Sequence, residues 1–325
     1  MRTFKLEFTF VLFVFSMVVQ AAPEDFSQAK RLLREHVYFD QNQSAAGDFY
    51  CGCKWEWVGK SGGRMDQSSC GYNSSKMPER AARLEWEHIL PISAVGQQRQ
   101  CWRDGGRKNC QATDPVFNRM EADMFNLTPS IGSVNAMRSN WLYGMATGPV
   151  EPLGACSTKV ATSTRLVEPR NEVKGMAART TFYMADRYGL RLSDGQQRVL
   201  MAWDRQYPVA AWEIERDRRI AYSMGHHNAF VTGQLQWSLN HQPTGAGVQT
   251  ARITLEQPSP QVSGTEKPAQ QAQIVGAVHA NKRSRVYHLA QGCPSYNQMS
   301  QSNKVEFSSE SEAVSAGYRK AGNCK

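Results

Sequence analysis

The stretch Leu84-Glu85-Trp86-Glu87-His88-Ile89-Leu90-Pro91 is the part of the chain from which the fold is best deduced. Side chains of different polarity alternate along it, and this alternation predicts a β-strand. Adjacent strand residues face opposite ways, so Glu87 and His88 can serve one site only if the strand ends or bends there. Pro91 favours an end, because proline lacks a backbone donor and biases Leu90 away from helix.

Polar side chains suited to act together with Glu87 and His88 follow in two later segments. The first is a loop between two cysteines, and it contains Arg107. The second contains Asn135 and Arg138, whose spacing of three residues places them on one side of a predicted helix. An acid, a base, an amide and an arginine are the groups that a metal-assisted phosphodiesterase needs.

Several groups of residues resemble motifs of the bacterial periplasmic and secreted endonuclease I family: Glu87-His88, Arg107, Met120-Glu121-Ala122-Asp123, and Asn135 with Arg138-Ser139-Asn140. The resemblance runs from about Phe26 to Val231. It implies a ββα-metal (His-Me finger) nuclease that cuts DNA and RNA with little sequence preference. An isolated Glu-His pair would more often be a surface carboxylate beside a core histidine, and the other motifs favour the catalytic interpretation.

The resemblance and the chemistry of the side chains together suggest which residues hold a metal ion and which one activates water. Glu87 and Asn135 would hold one divalent cation, because oxygen ligands suit Mg²⁺, with Mn²⁺ or Ca²⁺ as alternatives. His88 would take the proton of the attacking water, since a neutral imidazole is a base near neutral pH.

Three further residues are predicted to support the reaction. Arg107 would bind the scissile phosphate and the negative charge that builds in the transition state. Glu121 is expected to orient His88 through the other ring nitrogen. Arg138 is predicted to contact the nucleic-acid backbone or to position the metal-binding helix, which Ser133 would cap at its N-terminus.

The eight cysteines fit export to an oxidising compartment. We expect three disulfides in the first domain and one in the tail, and we expect Cys101 to pair with Cys110, stapling the loop that carries Arg107. The other pairings stay open, since six cysteines allow 15 arrangements. Zinc at Cys51-Gly52-Cys53 is an alternative that the one-residue spacing disfavours. The remaining candidates for disulfides are Cys70, Cys156, Cys293 and Cys324.

Composition predicts the division of the chain into domains. Residues 1–21 are typical of a signal peptide, with an uncleaved anchor as the alternative, and no other stretch is apolar enough to span a membrane. Residues 22–235 would form the nuclease domain, 236–273 a flexible linker and 274–325 a small second domain. The predicted fold class is α+β: a ββα-metal core in a largely helical, disulfide-stabilised domain, followed by a small α+β domain.

Within the first domain, the pattern of residues predicts several local structures. Residues 94–118 are polar and glycine-containing, which favours a long loop with a bend at Gly105-Gly106. A helix is expected from Asn171 onward, and Ser193 is expected to cap another. The aromatic residues Trp55 and Trp57 are assigned to core packing, with stacking on nucleobases as the alternative.

The tail contains short sequence motifs, such as Gly292-Cys293-Pro294 and Gly322-Asn323-Cys324, that resemble the small metal-binding module of the Ada DNA-repair protein. The resemblance implies a similar fold. That module binds zinc with four thiolates, and only two cysteines are present here, so zinc is not expected. A Cys293–Cys324 disulfide would instead stabilise the domain by roughly 3–4 kcal/mol in the loop-entropy model.

Together these observations predict an exported, metal-dependent endonuclease for DNA and RNA, acting as a monomer in the periplasm or outside the cell. The formal net charge of +9 agrees with a polyanionic partner. An alternative from another class is a non-catalytic basic protein that binds nucleic acid or the cell envelope. A third possibility keeps the nuclease and assigns the tail to tethering.

Overall fold

The structure, a computed structural model, describes residues 22–248, 278–289, 293–296, 298–307, 313 and 318–324. The chain divides into two compact units near residue 259; we call them the first unit (22–248) and the C-terminal unit (278–324). The predicted signal segment and the greater part of the predicted linker lie outside the described residues. Within the described ranges, no helix is both long and apolar enough to cross a bilayer.

The first unit mixes helices and strands, as the α+β prediction requires. In chain order its elements are α1 (Phe26–Leu32), β1 (Lys54–Val58), β2 (Gly62–Asp66), α2 (Pro78–Ala81), β3 (Arg83–His88), α3 (Ile92–Gly96), α4 (Gln100–Thr113), α5 (Pro115–Glu121), β4 (Leu127–Ile131), α6 (Gly132–Arg138), β5 (Leu142–Tyr143), β6 (Lys159–Ala161), β7 (Leu166–Glu168), α7 (Asn171–Tyr188), α8 (Asp194–Gln206) and α9 (Ala211–Met224).

An antiparallel sheet with strand order β1-β2-β3-β4 forms the centre of the first unit. Strands β3 and β4 pair along their length, with Glu87 opposite Thr128 and His88 opposite Leu127. Helix α6 follows β4 directly and packs against both strands, which gives a ββα unit. Residues Trp55, Leu84 and Trp86 are buried in this region. The assignment of Trp55 to the core is therefore confirmed.

The predicted helices of the second half form, and they enclose much of the core. Helix α7 begins at Asn171, as expected, and is buried along most of its length. The hydroxyl of Ser193 accepts a hydrogen bond from the backbone N–H of Gln196 at 3.3 Å, so Ser193 caps α8. The predicted cap at Ser133 is wrong: α6 begins at Gly132, and the Ser133 hydroxyl bonds to that of Tyr72 at 2.7 Å.

The prediction of a long loop over residues 94–118 is wrong, because most of it is helical in α3, α4 and α5. The polar composition concealed these helices, since two of them are short and α4 is largely exposed. Gly105-Gly106 does bend the chain inside α4, where Gly106 adopts φ 68°. The Asp114 carboxylate caps α5 and pairs with Arg99, which fixes the junction between α4 and α5.

All eight cysteines form disulfides, three in the first unit and one in the C-terminal unit, as predicted. Cys101 pairs with Cys110 across the glycine bend, which confirms the expected staple. Cys51 pairs with Cys156 and Cys53 pairs with Cys70. The two neighbouring cysteines thus belong to different disulfides, and the zinc alternative for Cys51-Gly52-Cys53 is excluded.

Residues 236–248 belong to the first unit, which corrects the predicted start of the linker. The Trp237 ring is 7% exposed and lies parallel to the Phe182 ring, with centroids 4.8 Å apart. The Asp186 carboxylate binds the imidazole of His241 and accepts a hydrogen bond from the hydroxyl of Thr244. This segment was assigned to a linker because its composition is polar, whereas Trp237, His241 and Thr244 attach it to helix α7.

The described part of the C-terminal unit contains a small sheet with strand order β10-β8-β9-β11. Its strands are β8 (Val278–Asn281), β9 (Val286–His288), β10 (Lys304–Phe307) and β11 (Arg319–Lys320). Tyr287 and Tyr318 pack with Val278 in a core of its own. The disulfide between Cys293 and Cys324 confirms the predicted staple of this small core.

Candidate active site

One cleft of the first unit contains most of the residues that the sequence singled out. We call it the Glu87–His88 cleft. Arg107, Asn135 and Arg138 line it together with that pair. The remaining lining residues are Phe26, Trp86, Pro91, Ile92, Ser93, Trp102, Ser139 and Asn140.

Two adjacent strand residues reach one cleft because β3 ends at His88. Beyond the strand, the side-chain amide of Asn126 makes two hydrogen bonds with the backbone of Leu90. Its Oδ1 accepts from the Leu90 N–H at 2.7 Å, and its Nδ2 donates to the Leu90 carbonyl at 2.9 Å. The buried amide thus fixes the turn into Pro91, and this turn leaves both Glu87 and His88 at the cleft.

The imidazole of His88 is held in one tautomer by the backbone. Its Nε2 lies 2.9 Å from the backbone carbonyl oxygen of Glu121, and a carbonyl can only accept. Nε2 therefore carries the hydrogen and Nδ1 keeps its lone pair. Burial, with smaller effects of Arg107, Arg138 and Lys30, lowers the pKa of His88 to about 3. The ring is neutral near neutral pH and able to accept a proton.

The sequence suggested that Glu121 orients His88. The contact is made by the backbone carbonyl of Glu121 and not by its carboxylate. The carboxylate instead accepts a hydrogen bond from Arg107 Nε at 2.5 Å and two from Gln111 Nε2 at 2.8 and 3.0 Å. The two terminal nitrogens of Arg107 donate to no described residue, and 42% of this side chain is exposed. Glu121 thus orients the guanidinium of Arg107, and the terminal nitrogens of this group stay accessible to an anion.

Glu87 and Asn135 each have one side-chain atom in hydrogen bonds with the protein and one side-chain oxygen without such a bond among the described residues. Glu87 Oε1 accepts from the Tyr50 hydroxyl and from Arg138 Nη1, both at 2.6 Å. Asn135 Nδ2 donates to Glu85 at 3.1 Å. Among the described residues, Glu87 Oε2 and Asn135 Oδ1 accept no hydrogen bond. Burial raises the pKa of the Glu87 carboxyl, and the Arg138 charge and the Tyr50 hydroxyl oppose that shift.

Arg138 was predicted either to contact the nucleic-acid backbone or to position the metal-binding helix, and its burial argues against the contact with nucleic acid. Its side chain is 1% exposed, and its guanidinium also donates to the carbonyl oxygens of His88 at 2.9 Å and Ile89 at 2.6 Å. Arg138 therefore holds the Glu87 carboxylate and the end of β3 in place. A guanidinium with these partners has little capacity left for a phosphate.

Sequence reasoning missed three residues that shape the cleft. Tyr50 lies 37 positions before Glu87, and no spacing rule connects them. Glu85 was assigned only to strand alternation, although it binds both Asn135 and Arg80. Gly132 permits this arrangement, because an added Cβ there would lie 2.8 Å from the Glu85 carboxylate.

The C-terminal unit offers a second group of ligand types, His288, Cys293 and Cys324, whose ligand atoms lie within 4.8 Å of one another. Both sulfurs are joined in the disulfide, so His288 is the one member free to bind a metal. These residues do not fit the four-thiolate zinc site that the Ada resemblance implies.

Comparison with known proteins adds independent information on the first unit. The sequence model of the family described as Endonuclease I matches residues 25–234. An extracellular deoxyribonuclease of Aeromonas hydrophila is 47% identical over 197 residues, covering 60% of this chain and 84% of that protein. A periplasmic deoxyribonuclease of the same species is 45% identical, covering 60% and 81%.

A third relative comes from another organism. Endonuclease-1 of Buchnera aphidicola subsp. Acyrthosiphon pisum is 39% identical over 208 residues, covering 64% of this chain and 80% of that protein. The matched region contains the whole Glu87–His88 cleft and ends before the C-terminal unit.

Proposed function

The chain belongs to the endonuclease I family, and from this premise we propose that it is an exported, metal-dependent endonuclease that hydrolyses phosphodiester bonds. The observation that carries the proposal is the arrangement around His88. Its neutral imidazole presents a free Nδ1 to a cleft that also contains an open guanidinium edge and two oxygen ligands. A base, an anion binder and a metal site in one cleft are the components of phosphodiester hydrolysis.

The residues of the cleft fit a divalent cation with a preference for oxygen. Glu87 Oε2 and Asn135 Oδ1 would hold it, with Mg²⁺ favoured and Mn²⁺ or Ca²⁺ as alternatives. Arg138 and Tyr50 hold the other carboxylate oxygen, and Glu85 holds the amide nitrogen, so both ligands are oriented in advance. When bound, the cation would withdraw charge from the phosphate and stabilise the leaving oxygen.

The side chains of the protein would carry out the remaining steps. Nδ1 of His88 would take the proton of a water molecule that attacks the phosphorus atom. The terminal nitrogens of Arg107 would bind the oxygens of the scissile phosphate as their negative charge grows. The carbonyl of Glu121 would stabilise the imidazolium that forms, because Nε2–H then donates a charge-assisted hydrogen bond.

The substrate and the location follow from the same features. Arg107 and the metal ligands would contact phosphate, which every nucleotide has, so little sequence preference is expected for DNA or RNA. The relatives named as extracellular and periplasmic deoxyribonucleases support DNA as substrate and export as destination. The four disulfides agree with an oxidising compartment.

The proposal predicts nicking of supercoiled plasmid and degradation of single-stranded RNA in Mg²⁺, both abolished by EDTA and restored by added Mg²⁺. The purified mature protein should be assayed by gel electrophoresis over time. Cleavage at a few sharp sites would contradict the predicted lack of sequence preference. Full activity in EDTA would exclude the metal, and binding without cutting in any divalent metal would favour the non-catalytic alternative.

Replacement of Arg107 by alanine should lower the turnover number about 10²-fold, the size of effect seen when one transition-state donor is lost. Arg103→Ala is the matched control, since Arg103 lies on the other side of the Gly105-Gly106 bend in α4 and hydrogen-bonds only to Gln100 among the described residues. Steady-state kinetics on plasmid DNA measure both variants. Equal kinetics for Arg107→Ala and Arg103→Ala would remove Arg107 from the site.

A further inference from the structure

The first helix contributes its first residue, Phe26, to the lining of the Glu87–His88 cleft. Phe26, the first residue of α1, stacks on the imidazole of His88, with ring centroids 4.9 Å apart and planes inclined by 30°. Lys30 follows one turn later on the same side of α1. Its Nζ lies 4.6 Å from the centroid of the Phe26 ring, and Arg107 Cζ lies 5.6 Å from it. One aromatic ring thus connects the candidate base with two cations.

Among the residues that the structure describes, Lys30 differs from its neighbour on the helix in having no acidic partner. Arg31 pairs with Glu35 at 3.2 Å, one turn along the exposed side. Within the ranges that the structure describes, Lys30 has no carboxylate in ion-pair distance. A cation–π contact holds an ammonium group in place without neutralising its charge. Lys30 is therefore a positioned positive charge beside the cleft, available to an anion.

We propose that Lys30, held against the ring of Phe26, binds a backbone phosphate adjacent to the scissile one on the cleaved strand. The inference rests on the proposed function, because it places a nucleic-acid strand in the cleft. Phosphates recur about every 3.4 Å of helix axis along each strand, so a strand with one phosphate at Arg107 presents others nearby. Lysine is a common phosphate binder that acts as a point charge.

The subsite has a different task from that of Arg107. Arg107 is tied to Glu121, whose carbonyl holds the base, so its position is coupled to the reacting phosphate. Lys30 lies on α1 and not on α4, and its one contact among the described residues that involves its charge is with the ring of Phe26 on its own helix. It would add affinity and fix the register of the strand, and it would recognise phosphate in any sequence.

The test measures how DNA affinity depends on salt. Lys30→Gln removes the charge and keeps most of the stem, and Arg31→Gln removes one charge from the adjacent position as the matched control. Fluorescence anisotropy with a labelled duplex in EDTA gives Kd over a range of salt concentrations without cleavage. For Lys30→Gln the slope of log K against log salt should decrease by about 0.9, the value for one phosphate contact. Arg31→Gln should keep the wild-type slope, and Lys30→Arg should restore it.

Kinetics in Mg²⁺ provide the second measurement. The loss in Lys30→Gln should fall mainly on KM, because the contact is made in the bound complex as well as in the transition state. A wild-type slope for Lys30→Gln, or equal decreases for Lys30→Gln and Arg31→Gln, would overturn the subsite. Failure of the proposed function would look different: the wild type would bind DNA and not cut it, whatever the slope of the variants.

Discussion

Replacing His88 with alanine is expected to lower the turnover number for DNA cleavage by about 10²- to 10⁴-fold, the range for loss of a general base. The imidazole is neutral near neutral pH, and its Nδ1 keeps a basic nitrogen lone pair because its Nε2–H is held by the Glu121 carbonyl. Its removal leaves water without a base. It leaves Arg107 and Lys30 able to hold phosphate, so DNA affinity should stay close to that of the wild type.

The measurement combines single-turnover cleavage in Mg²⁺ with a binding titration in EDTA. His36→Ala is the control, since His36 is exposed on the same unit and lies outside the cleft lining. Added imidazole should partly restore cleavage by His88→Ala and should not affect His36→Ala. If the affinity for DNA fell as far as the rate, His88 would have to be reassigned from catalysis to binding.

The arrangement that brings Glu87 and His88 to one cleft was predictable from the sequence, because it depends on local rules. Alternation predicted the strand, and Pro91 predicted that the strand ends. Export and the Cys101–Cys110 staple followed from the cysteines in the same way. Each of these inferences uses residues that are close in sequence or that belong to one recognisable pattern.

The supporting contacts of the site were not predictable, because they depend on tertiary structure. The orienting group of His88 is a backbone carbonyl, and any residue at position 121 would supply one. The partners of Glu87 come from Tyr50 and Arg138, one far before it and one far after it. For Arg138 the sequence left open a contact with the nucleic-acid backbone or a role in positioning the metal-binding helix, and only the packed structure reveals that Arg138 is buried.

Polar composition also predicted poorly which segments form helices and where the first unit ends. It concealed helix α4, which a disulfide and the Arg99–Asp114 pair stabilise, and it placed the domain boundary ahead of Trp237. The second error matters for experiments on the tail. A deletion intended to test tethering should begin after Val248, because one that begins at residue 236 would also remove the Trp237 and Thr244 contacts of the first unit.

Replacing Arg138 with methionine should cost the first unit about 3–5 kcal/mol of unfolding free energy, the usual penalty for breaking a buried ion pair from one side. The substitution removes the guanidinium and leaves the Glu87 carboxylate, itself 2% exposed, with the Tyr50 hydroxyl alone. The carbonyl oxygens of His88 and Ile89 also lose their donors. Urea denaturation, followed by tryptophan fluorescence, measures the loss.

Two comparisons make this prediction specific. Arg31→Met breaks an exposed pair and should cost about 0–1 kcal/mol. Adding Glu87→Gln to Arg138→Met should restore part of the lost unfolding free energy, because burying a neutral amide costs less free energy than burying an unpaired carboxylate. Burial already raises the folded-state pKa of Glu87 in the wild type, and Arg138→Met removes the Arg138 charge that opposes this shift and leaves only the Tyr50 hydroxyl to oppose it. The pKa of Glu87 should therefore rise further above its unfolded value, so the variant should lose stability relative to the wild type as pH rises through that pKa. Equal losses for Arg138→Met and Arg31→Met would mean that Arg138 does not hold the metal-binding carboxylate in place.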